Sequence, residues 1–336
     1  MRQVVIGPNE AGQRLDKFLH KYMKEAPSGF FYKMMRKKNI VLNGAKCSGN
    51  EKLKEGDFVK FFLAEETLEK FGALSGCPAE TDEYESAFAA FGLLPVVYED
   101  RHMLAVNKPA GILSQKAKPS DLSLNEWLIG YLLKKRETDP AKLATFRPSV
   151  CNRLDRNTSG LVLCGKSLEG TQLLTQAIRE RSVRKFYRLF VKGRLTKEEI
   201  LCAWLKKDAK SNQVQILDHF EPGGEPIKTG IRPLQSGLLP GGMPVTYAEA
   251  ELFTGKTHQI RAHLASIGHP LLGDLKYGEK RINEVCTKFG VKNQMLHAYR
   301  VEFPDSFKEP DGNSLVITAP LPECFEKLLT EMVDHR

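Results

Sequence analysis

The run NRLDRNTSGL, residues 152–161, carries more information on fold and chemistry than any other stretch of this sequence. It holds one carboxylate, Asp155, between two arginines, and a turn-forming Thr-Ser-Gly then leads into the apolar run 161–163. A lone acid among bases, on a loop before a strand, is how a nucleophilic Asp would be presented to a polyanion. A surface salt bridge has the same appearance, so the rest of the chain must decide between the two.

The composition favours anionic partners. The chain has 336 residues, which predicts two or more domains, and a formal net charge of +9 at pH 7, which favours contact with polyanions. It has no apolar run long enough to span a membrane, and its N-terminus lacks the long apolar region of a signal peptide. We therefore expect a cytoplasmic protein with no membrane contact.

Several classes of chemistry have no support in the sequence. The seven cysteines are scattered and form no Cys-x-x-Cys pair, which argues against a zinc ribbon and a disulfide framework. The phosphate-binding loop, Gly-x-Gly-x-x-Gly, His-Glu-x-x-His and Gly-x-Ser-x-Gly are all absent. His258 and His263 are five apart on a predicted helix, so they point to different faces. We predict neither a cofactor nor a metal site.

Charge is distributed unevenly along the chain. Residues 1–60 contain 13 Lys and Arg against six Asp and Glu, a net charge of +7. Residues 65–95 contain one Lys against seven Asp and Glu, a net charge of −6. Because the acidic stretch is mixed with Gly, Ser and Pro, we interpret residues 65–93 as a linker with one short helix near 83–91. Its negative charge predicts that this linker does not lie on nucleic acid.

Residues 1–64 are predicted to form a small α+β module. The apolar spacing of residues 15–22 is typical of an amphipathic helix, a second helix follows Ser28, and Asn43-Gly44 predicts a tight turn between two short strands. This order of helix, helix and hairpin resembles the S4-like RNA-binding module. Its predicted RNA contacts are Lys33, Arg36, Lys37 and Lys38. The alternative is a small domain with a solvated charged face.

Residues 94–330 are rich in strand patterns with irregularly interspersed helices. This distribution predicts an α+β fold with a mixed, mainly antiparallel sheet and flanking helices, not a doubly wound sheet. The predicted strands are 96–98, 103–106, 161–163, 183–191, 245–253 and 296–303. Predicted helices follow Ser167, with Leu173 and Leu174 inward, and cover 258–267, with Ile260, Leu264 and Ile267 inward.

Three further motifs accompany the Asp155 loop. Residues 107–111, NKPAG, form a rigid turn that offers the cation of Lys108, or simply end a strand. In residues 184–188, basic side chains alternate with aromatic ones. This pattern suits contact with phosphates and a stacked nucleobase, or it marks a core strand with a basic face. Arg261 lies about 100° from the core stripe of its helix, where its guanidinium can reach a cleft carboxylate in a bidentate way, or lies on a solvated edge.

Together, in this order and at these separations, the motifs resemble those of the RluA family of pseudouridine synthases, which includes the RluC- and RluD-type ribosomal RNA enzymes. The correspondence covers about residues 94–325. The matching motifs are residues 107–111, Arg153-Leu154-Asp155 with Thr158-Ser159-Gly160, Lys185-x-Tyr187, residues 257–264, residues 268–274 and Leu296-His297-Ala298. Two positions depart from the family pattern. Asn152 stands where His is usual, which excludes a titrating imidazole there, and Lys256 stands where Arg is usual, which keeps the charge without bidentate geometry.

The resemblance implies a cofactor-free isomerisation of uridine to pseudouridine in RNA, within a catalytic domain preceded by the S4-like module of the ribosomal RNA branch. Asp155 is then the essential group, as nucleophile or base, Arg261 keeps it anionic, and Tyr187 stacks on the uracil. The implied RNA contacts are Arg153, Lys108, Lys185, Lys256 and His258, with Lys108 and Lys185 holding phosphates or bracing the loop. Whether Tyr187 is itself a base stays open.

The predicted substrate is large-subunit (23S) ribosomal RNA, and we expect a monomer. Two alternatives stay open: a transfer RNA pseudouridine synthase of the same family, and a non-catalytic RNA-binding or ribosome-assembly factor on the same scaffold. The second alternative is disfavoured because Asp155, Tyr187 and Arg261 are all present.

Overall fold

The N-terminal part of the chain folds around a four-stranded antiparallel sheet. The computed structural model describes residues 1–72, 81–208, 213–308 and 312–334. The strands of the first sheet lie in the order β1-β4-β2-β3. Its elements, with α1 and α2 packed on it, are β1 (Arg2–Val5), α1 (Leu15–Tyr22), α2 (Ser28–Arg36), β2 (Ile40–Leu42), β3 (Ala45–Lys46) and β4 (Phe58–Phe61).

Helices α1 and α2 and the β2–β3 hairpin confirm the predictions for this region. Asn43 and Gly44 both have positive φ, 51° and 76°, as an Asn-Gly hairpin turn requires. The side chains of Leu15, Phe18 and Leu19 are fully buried against the sheet. Strand β1 was not predicted from the sequence; it pairs with β4 and lies at the edge of the sheet.

The predicted linker of residues 65–93 contains two helices, α3 (Glu65–Lys70) and α4 (Asp82–Phe91); its residues 73–80 lie outside the described part. Leu68 of α3 is buried in the core of the N-terminal part. Helix α4 matches the predicted short helix and packs on α5 (Leu124–Lys134). There a Cβ on Gly130 would lie 2.3 Å from the carbonyl oxygen of Tyr84, so the two helices touch backbone to backbone.

The rest of the chain is organised by a twelve-stranded sheet with the order β11-β10-β12-β13-β9-β14-β8-β6-β5, to which β7, β15 and β16 add at β8, β14 and β12. Its strands are β5 (Val96–Glu99), β6 (Met103–Lys108), β7 (Ser149–Val150), β8 (Ser159–Gly165), β9 (Arg184–Lys192), β10 (Glu199–Lys207), β11 (Val214–Leu217), β12 (Gly224–Leu239), β13 (Met243–Leu252), β14 (Leu296–Glu302), β15 (Val316–Thr318) and β16 (Val333–Asp334). Strands β8 and β14 pair in parallel, and the other neighbours are antiparallel. The predicted mixed, mainly antiparallel sheet is thus confirmed.

Helices cover both faces of this sheet. The remaining ones are α6 (Pro140–Thr145), α7 (Leu168–Arg179), α8 (Gln259–Ser266), α9 (Lys280–Thr287) and α10 (Glu323–Glu331). On the front face, Tyr187 and Leu189 share a core with residues of α5 and α8. On the back face, α7 packs on Leu161 and α10 packs on Phe190. Because side chains alternate along a strand, Leu189 and Phe190 of β9 point to opposite faces.

Two predicted core positions are wrong, and one region was not predicted at all. Leu173 is 48% exposed because the buried stripe of α7 runs through Leu174 and Ala177. Ile267 is 37% exposed because α8 ends at Ser266. Strands β10 to β12, which lengthen one side of the sheet, were not assigned from the sequence. No helix in the described ranges is long and apolar enough to cross a membrane.

Candidate active site

The Asp155 loop, residues 151–158, connects β7 to β8 and is fixed at both ends by side chains. Ser114 Oγ accepts a hydrogen bond from the Leu154 amide (3.0 Å) and donates one to the Leu154 carbonyl (3.0 Å). Asn152 Oδ1 accepts from the Leu163 amide (2.7 Å), and its Nδ2 donates to the Leu161 carbonyl (3.3 Å). The residue that departs from the family pattern thus attaches the loop to β8 through neutral hydrogen bonds.

Lys108 lies beneath this loop and is fully buried. Its ammonium donates to three carbonyl oxygens, those of Pro109 (3.0 Å), Ile112 (2.9 Å) and Arg156 (3.1 Å). Burial lowers the pKa of Lys108 to about 7, against the opposing effect of the Asp155 charge. The prediction that Lys108 binds RNA is therefore wrong, because its ammonium has no exposed surface, and bracing the loop is the alternative that the structure supports.

Arg261 joins two carboxylates. Its Nη1 donates to Asp155 Oδ2 at 2.8 Å. Its Nε and Nη2 donate to the two oxygens of Asp274 at 2.7 and 2.9 Å. The predicted ion pair with Asp155 is present, but the bidentate contact belongs to Asp274.

Asp274 holds Arg261 in place and lies in the 268–274 motif, where the sequence suggested no role for it. It is fully buried, and its Oδ1 also accepts from the amides of Lys276 (2.8 Å) and Tyr277 (3.1 Å). Burial alone would raise the pKa of Asp274, but Arg261 and these amides lower it below the usual value. The preceding Gly273 has φ +73° and would place a Cβ 2.3 Å from the Asn293 carbonyl oxygen. The Gly273-Asp274 pair was the feature of the sequence that could have pointed to Asp274.

The two oxygens of Asp155 have different surroundings. Oδ2 faces Arg261, whereas no hydrogen bond to Oδ1 is found from any residue that the structure describes. The side chain is 27% exposed, in contrast to the buried Arg261 and Asp274. One oxygen is therefore held by a cation, and the other has no hydrogen bond from any residue that the structure describes.

Tyr187 lies in β9 between Ala250 of β13 and Ala298 of β14. Both neighbours have small side chains, and the Tyr187 hydroxyl has no hydrogen-bond partner among the described residues. Burial, with a smaller contribution from the charge of Asp155, raises the pKa of the Tyr187 phenol, so it stays protonated at neutral pH. A neutral aromatic ring beside Asp155 suits stacking on a flat ligand.

His258 lies inside the site and not on its rim. It precedes α8 in the left-handed conformation (φ 53°), and its Nε2 is 3.9 Å from Asp155 Oδ2. Its Nδ1 is 2.9 Å from Tyr277 Oη, which also accepts from the Val214 amide at 2.9 Å. Burial lowers the pKa of His258, so the imidazole is neutral at pH 7. His258 was predicted to contact RNA. From this position it can reach only a nucleotide that enters the site itself.

The remaining predicted RNA contacts lie outside this centre. Arg153 is exposed beside Asp155 and has no ion pair within the described ranges. Lys185 is half-buried, with Nζ 4.0 Å from where a Cβ of Gly255 would be, and Lys256 pairs with Glu225 at 2.6 Å. The four basic residues of α2 and its end are all exposed: Lys33, Arg36, Lys37 and Lys38. No group of three or more potential metal ligands occurs among the described residues.

Comparison with known proteins agrees with this geometry. A family model described as RNA pseudouridylate synthase matches residues 102–266. The ribosomal large subunit pseudouridine synthase C of Vibrio cholerae is 30% identical over 327 residues, which cover 97% of this chain and 95% of that protein. The proteins of the same name from Buchnera aphidicola (30% identity; 98% and 97%) and Escherichia coli (28%; 99% and 97%) align over similar lengths.

Solved structures share the fold. Human RNA pseudouridylate synthase domain containing 1 superposes with a TM-score of 0.52 at 25% identity and covers 68% of this chain and 84% of its own. Human RNA pseudouridylate synthase domain containing 4 has a TM-score of 0.56 at 18% identity, with coverages of 74% and 96%, a likeness of fold alone. Given relatives at 30% identity over nearly its full length, this chain belongs to the RluA family of RNA pseudouridine synthases.

Proposed function

We propose that this enzyme converts specific uridines of large-subunit ribosomal RNA into pseudouridine, with Asp155 as its essential group. One observation carries the proposal: the partly exposed Asp155 has one oxygen paired with Arg261 and the other without a hydrogen bond from any described residue, beside Tyr187. The substrate follows from the relatives, which are named as ribosomal large subunit enzymes. Mapping pseudouridines in ribosomal and transfer RNA, from cells with and without the protein, separates this substrate from transfer RNA.

The reaction is an isomerisation, so its atoms balance without a co-reactant. The bond from uracil N1 to C1′ breaks, the uracil turns, and C5 bonds to C1′; C5 loses a proton and N1 gains one. Asp155 Oδ1 is the oxygen available either to attack C1′ or to remove a sugar proton. Arg261 fixes the orientation of this carboxylate through its hydrogen bond to Oδ2.

The target base must leave its stack to reach a cleft of this kind. The Tyr187 ring supports the uracil, and burial raises the pKa of its phenol. Arg153, exposed next to Asp155, fills the space that the flipped base vacates. Residues 1–64 bind RNA away from the cleft through the exposed cations Lys33, Arg36, Lys37 and Lys38. The proposed enzyme acts as a monomer in the cytoplasm.

The variant Asp155→Asn tests the assignment. The amide keeps the size of the side chain but is neither a nucleophile nor a base, so we expect no product while RNA binding persists. Tritium release from RNA labelled at uridine C5 measures the reaction, and filter binding measures affinity. The control is Asp82→Asn, which changes an exposed carboxylate at the start of α4. Full activity of the Asp155 variant would refute the assignment.

A further inference from the structure

A second concave site lies on the back face of the large sheet, where β12 begins and β13 ends. It has a volume of about 530 Å³, within the range of ligand pockets, and is lined by strands β10 and β12 and the residues after β13. Leu205 and Ile227 pack under α8 on the front face. Since side chains alternate along strands, Trp204 and Lys228 point to the back.

The pocket combines aromatic rings with cations. Trp204 is half-buried, with Phe220 packed edge-on at 5.0 Å, and the Lys228 ammonium lies 4.7 Å above the centre of the Phe253 ring. Arg181 and Lys228 are both exposed and have no ion pair to any described residue, whereas Asp218 is the one acid among the lining residues that the structure describes. Aromatic platforms with unpaired cations are the means by which proteins hold unpaired nucleotides.

The pocket is connected to the catalytic cleft by one short segment, residues 253–258. The segment starts at Phe253 on the back face and ends at His258 beside Asp155. Thr254, in the wall of the pocket, is buried and donates to Gln259 of α8 at 2.9 Å. Lys185, beside Gly255, adds a cation at the crossing point. An RNA strand that leaves the cleft across this segment arrives at the pocket.

We propose that this pocket is a stacking subsite for an unpaired nucleotide that flanks the target uridine, with Trp204 and Phe253 contacting its base and Arg181 and Lys228 its phosphate. The inference rests on the proposed function, because it requires a uridine in RNA at Asp155. A protein partner is disfavoured by the two unpaired cations and is an outcome that the test distinguishes.

Tryptophan fluorescence reports on this pocket directly. The chain has two tryptophans, and the other, Trp127, is fully buried in the core of the catalytic part. Titration with an RNA that carries the target uridine and unpaired flanking nucleotides is expected to quench the fluorescence saturably, because a base stacks on Trp204. The variant Trp204→Phe keeps an aromatic ring but removes the fluorescent indole of the pocket, so it is expected to lack the quenching. Quenching that survives in this variant would overturn the proposal.

Affinity gives an independent measurement. Trp204→Ala is expected to weaken binding of the flanked RNA by about 5- to 150-fold, the range for one stacked base, and to bind a trimmed RNA without flanks as wild type does. Lys228→Gln is expected to reduce the salt slope of log K by about one. The matched control is Lys327→Gln, an exposed lysine of α10 with no ion pair to a residue that the structure describes.

The outcomes separate the two proposals. If the wild type forms pseudouridine but Trp204→Ala binds flanked RNA within about twofold of wild type, well below the effect of one stacked base, the subsite is wrong and the proposed function stands. If the wild type forms no pseudouridine in any RNA, the proposed function fails and the subsite fails with it. A pocket that binds a protein, with RNA affinity unchanged by both variants, equally overturns the subsite.

Discussion

At the scale of single residues, the site depends on one guanidinium shared by two carboxylates with unequal access to water. Asp274 is buried, takes two of the Arg261 hydrogen bonds and is further held by backbone amides. Asp155 takes one and remains partly exposed. The buried acid therefore fixes the arginine, and the arginine in turn fixes Asp155, the residue that we propose reacts. In this proposal Asp274 positions the arginine, and Asp155 shares the same cation.

The variant Asp274→Asn should therefore damage both fold and activity. It leaves a buried guanidinium without its bidentate partner, a change that costs roughly 3–5 kcal/mol of unfolding free energy. We expect the urea midpoint to fall and kcat to drop with it. Asp155→Asn is the comparison, because Arg261 then retains Asp274 and we expect no loss of stability. Equal midpoints for the two variants would contradict this division of roles.

At the scale of elements, Lys108 joins the turn after β6 to the Asp155 loop from below. Its three carbonyl acceptors come from both segments, two from residues 109 and 112 and one from Arg156, next to Asp155. A buried ammonium is costly unless its donors are satisfied, and here all three are. The lysine thus connects two loops that are far apart in the chain.

Replacing Lys108 should loosen the Asp155 loop. Lys108→Met keeps the aliphatic stem and leaves three buried carbonyls without a donor, each worth about 1–3 kcal/mol when unsatisfied. We expect lower stability, faster hydrogen exchange in residues 151–158 and a reduced kcat. Lys118→Met, an exposed lysine on the loop before α5, is the control. Wild-type exchange rates in the Lys108 variant would exclude a bracing role.

The sequence indicated the elements around Asp155 better than the direction of individual side chains. The motif order predicted Arg261 beside Asp155, because few residue types can hold a carboxylate charged. It left open whether Lys108 holds a phosphate or braces the loop, since the same NKPAG turn can present its lysine to solvent or to the interior. Strands β10 to β12 were missed because the back-facing positions of β10 carry Ile200 and Trp204, which break the alternation that marks a half-buried strand.

At the scale of the whole molecule, stability should depend on pH through a buried histidine of the central sheet. His297 is fully buried, its Nδ1 is 2.8 Å from Ser159 Oγ, and its Nε2 has no partner in the described ranges. Burial lowers the pKa of His297 to about 4. In the unfolded chain the His297 imidazole takes up a proton near pH 6.5, whereas in the folded protein it stays neutral down to about pH 4. The free energy of unfolding therefore falls as the pH is lowered from 6.5 to 4.

The expected loss from His297 between pH 6.5 and pH 4 is about 3 kcal/mol. Urea unfolding at several pH values measures it in the wild type and in His297→Gln, which does not titrate in this range. The difference between the two proteins isolates His297 from His258 and His263, whose pKa values burial also lowers. If the free energy of unfolding falls equally with decreasing pH in both proteins, His297 does not control the loss of stability in acid.

The distribution of charge over the molecule leads to the last prediction. The N-terminal patch, formed by four exposed cations of α2 and its end, should bind phosphates independently of the chemistry at Asp155. The variant replaces all four by Gln: Lys33, Arg36, Lys37 and Lys38. We expect a weaker Kd for RNA and a salt slope reduced by about 0.7–0.9 for each phosphate that is no longer neutralised, with kcat at saturating RNA unchanged.

The control for this variant carries the same change of net charge at a different place. It replaces four exposed lysines on and near α9 and α10, on the other part of the chain: Lys280, Lys288, Lys292 and Lys327. If the N-terminal patch binds RNA, its variant alone has the reduced salt slope. If only net charge attracts the RNA, both variants weaken equally, because long-range attraction does not depend on which lysines are removed. Equal reductions would therefore show the N-terminal cations to be a solvated face and not an RNA-binding surface.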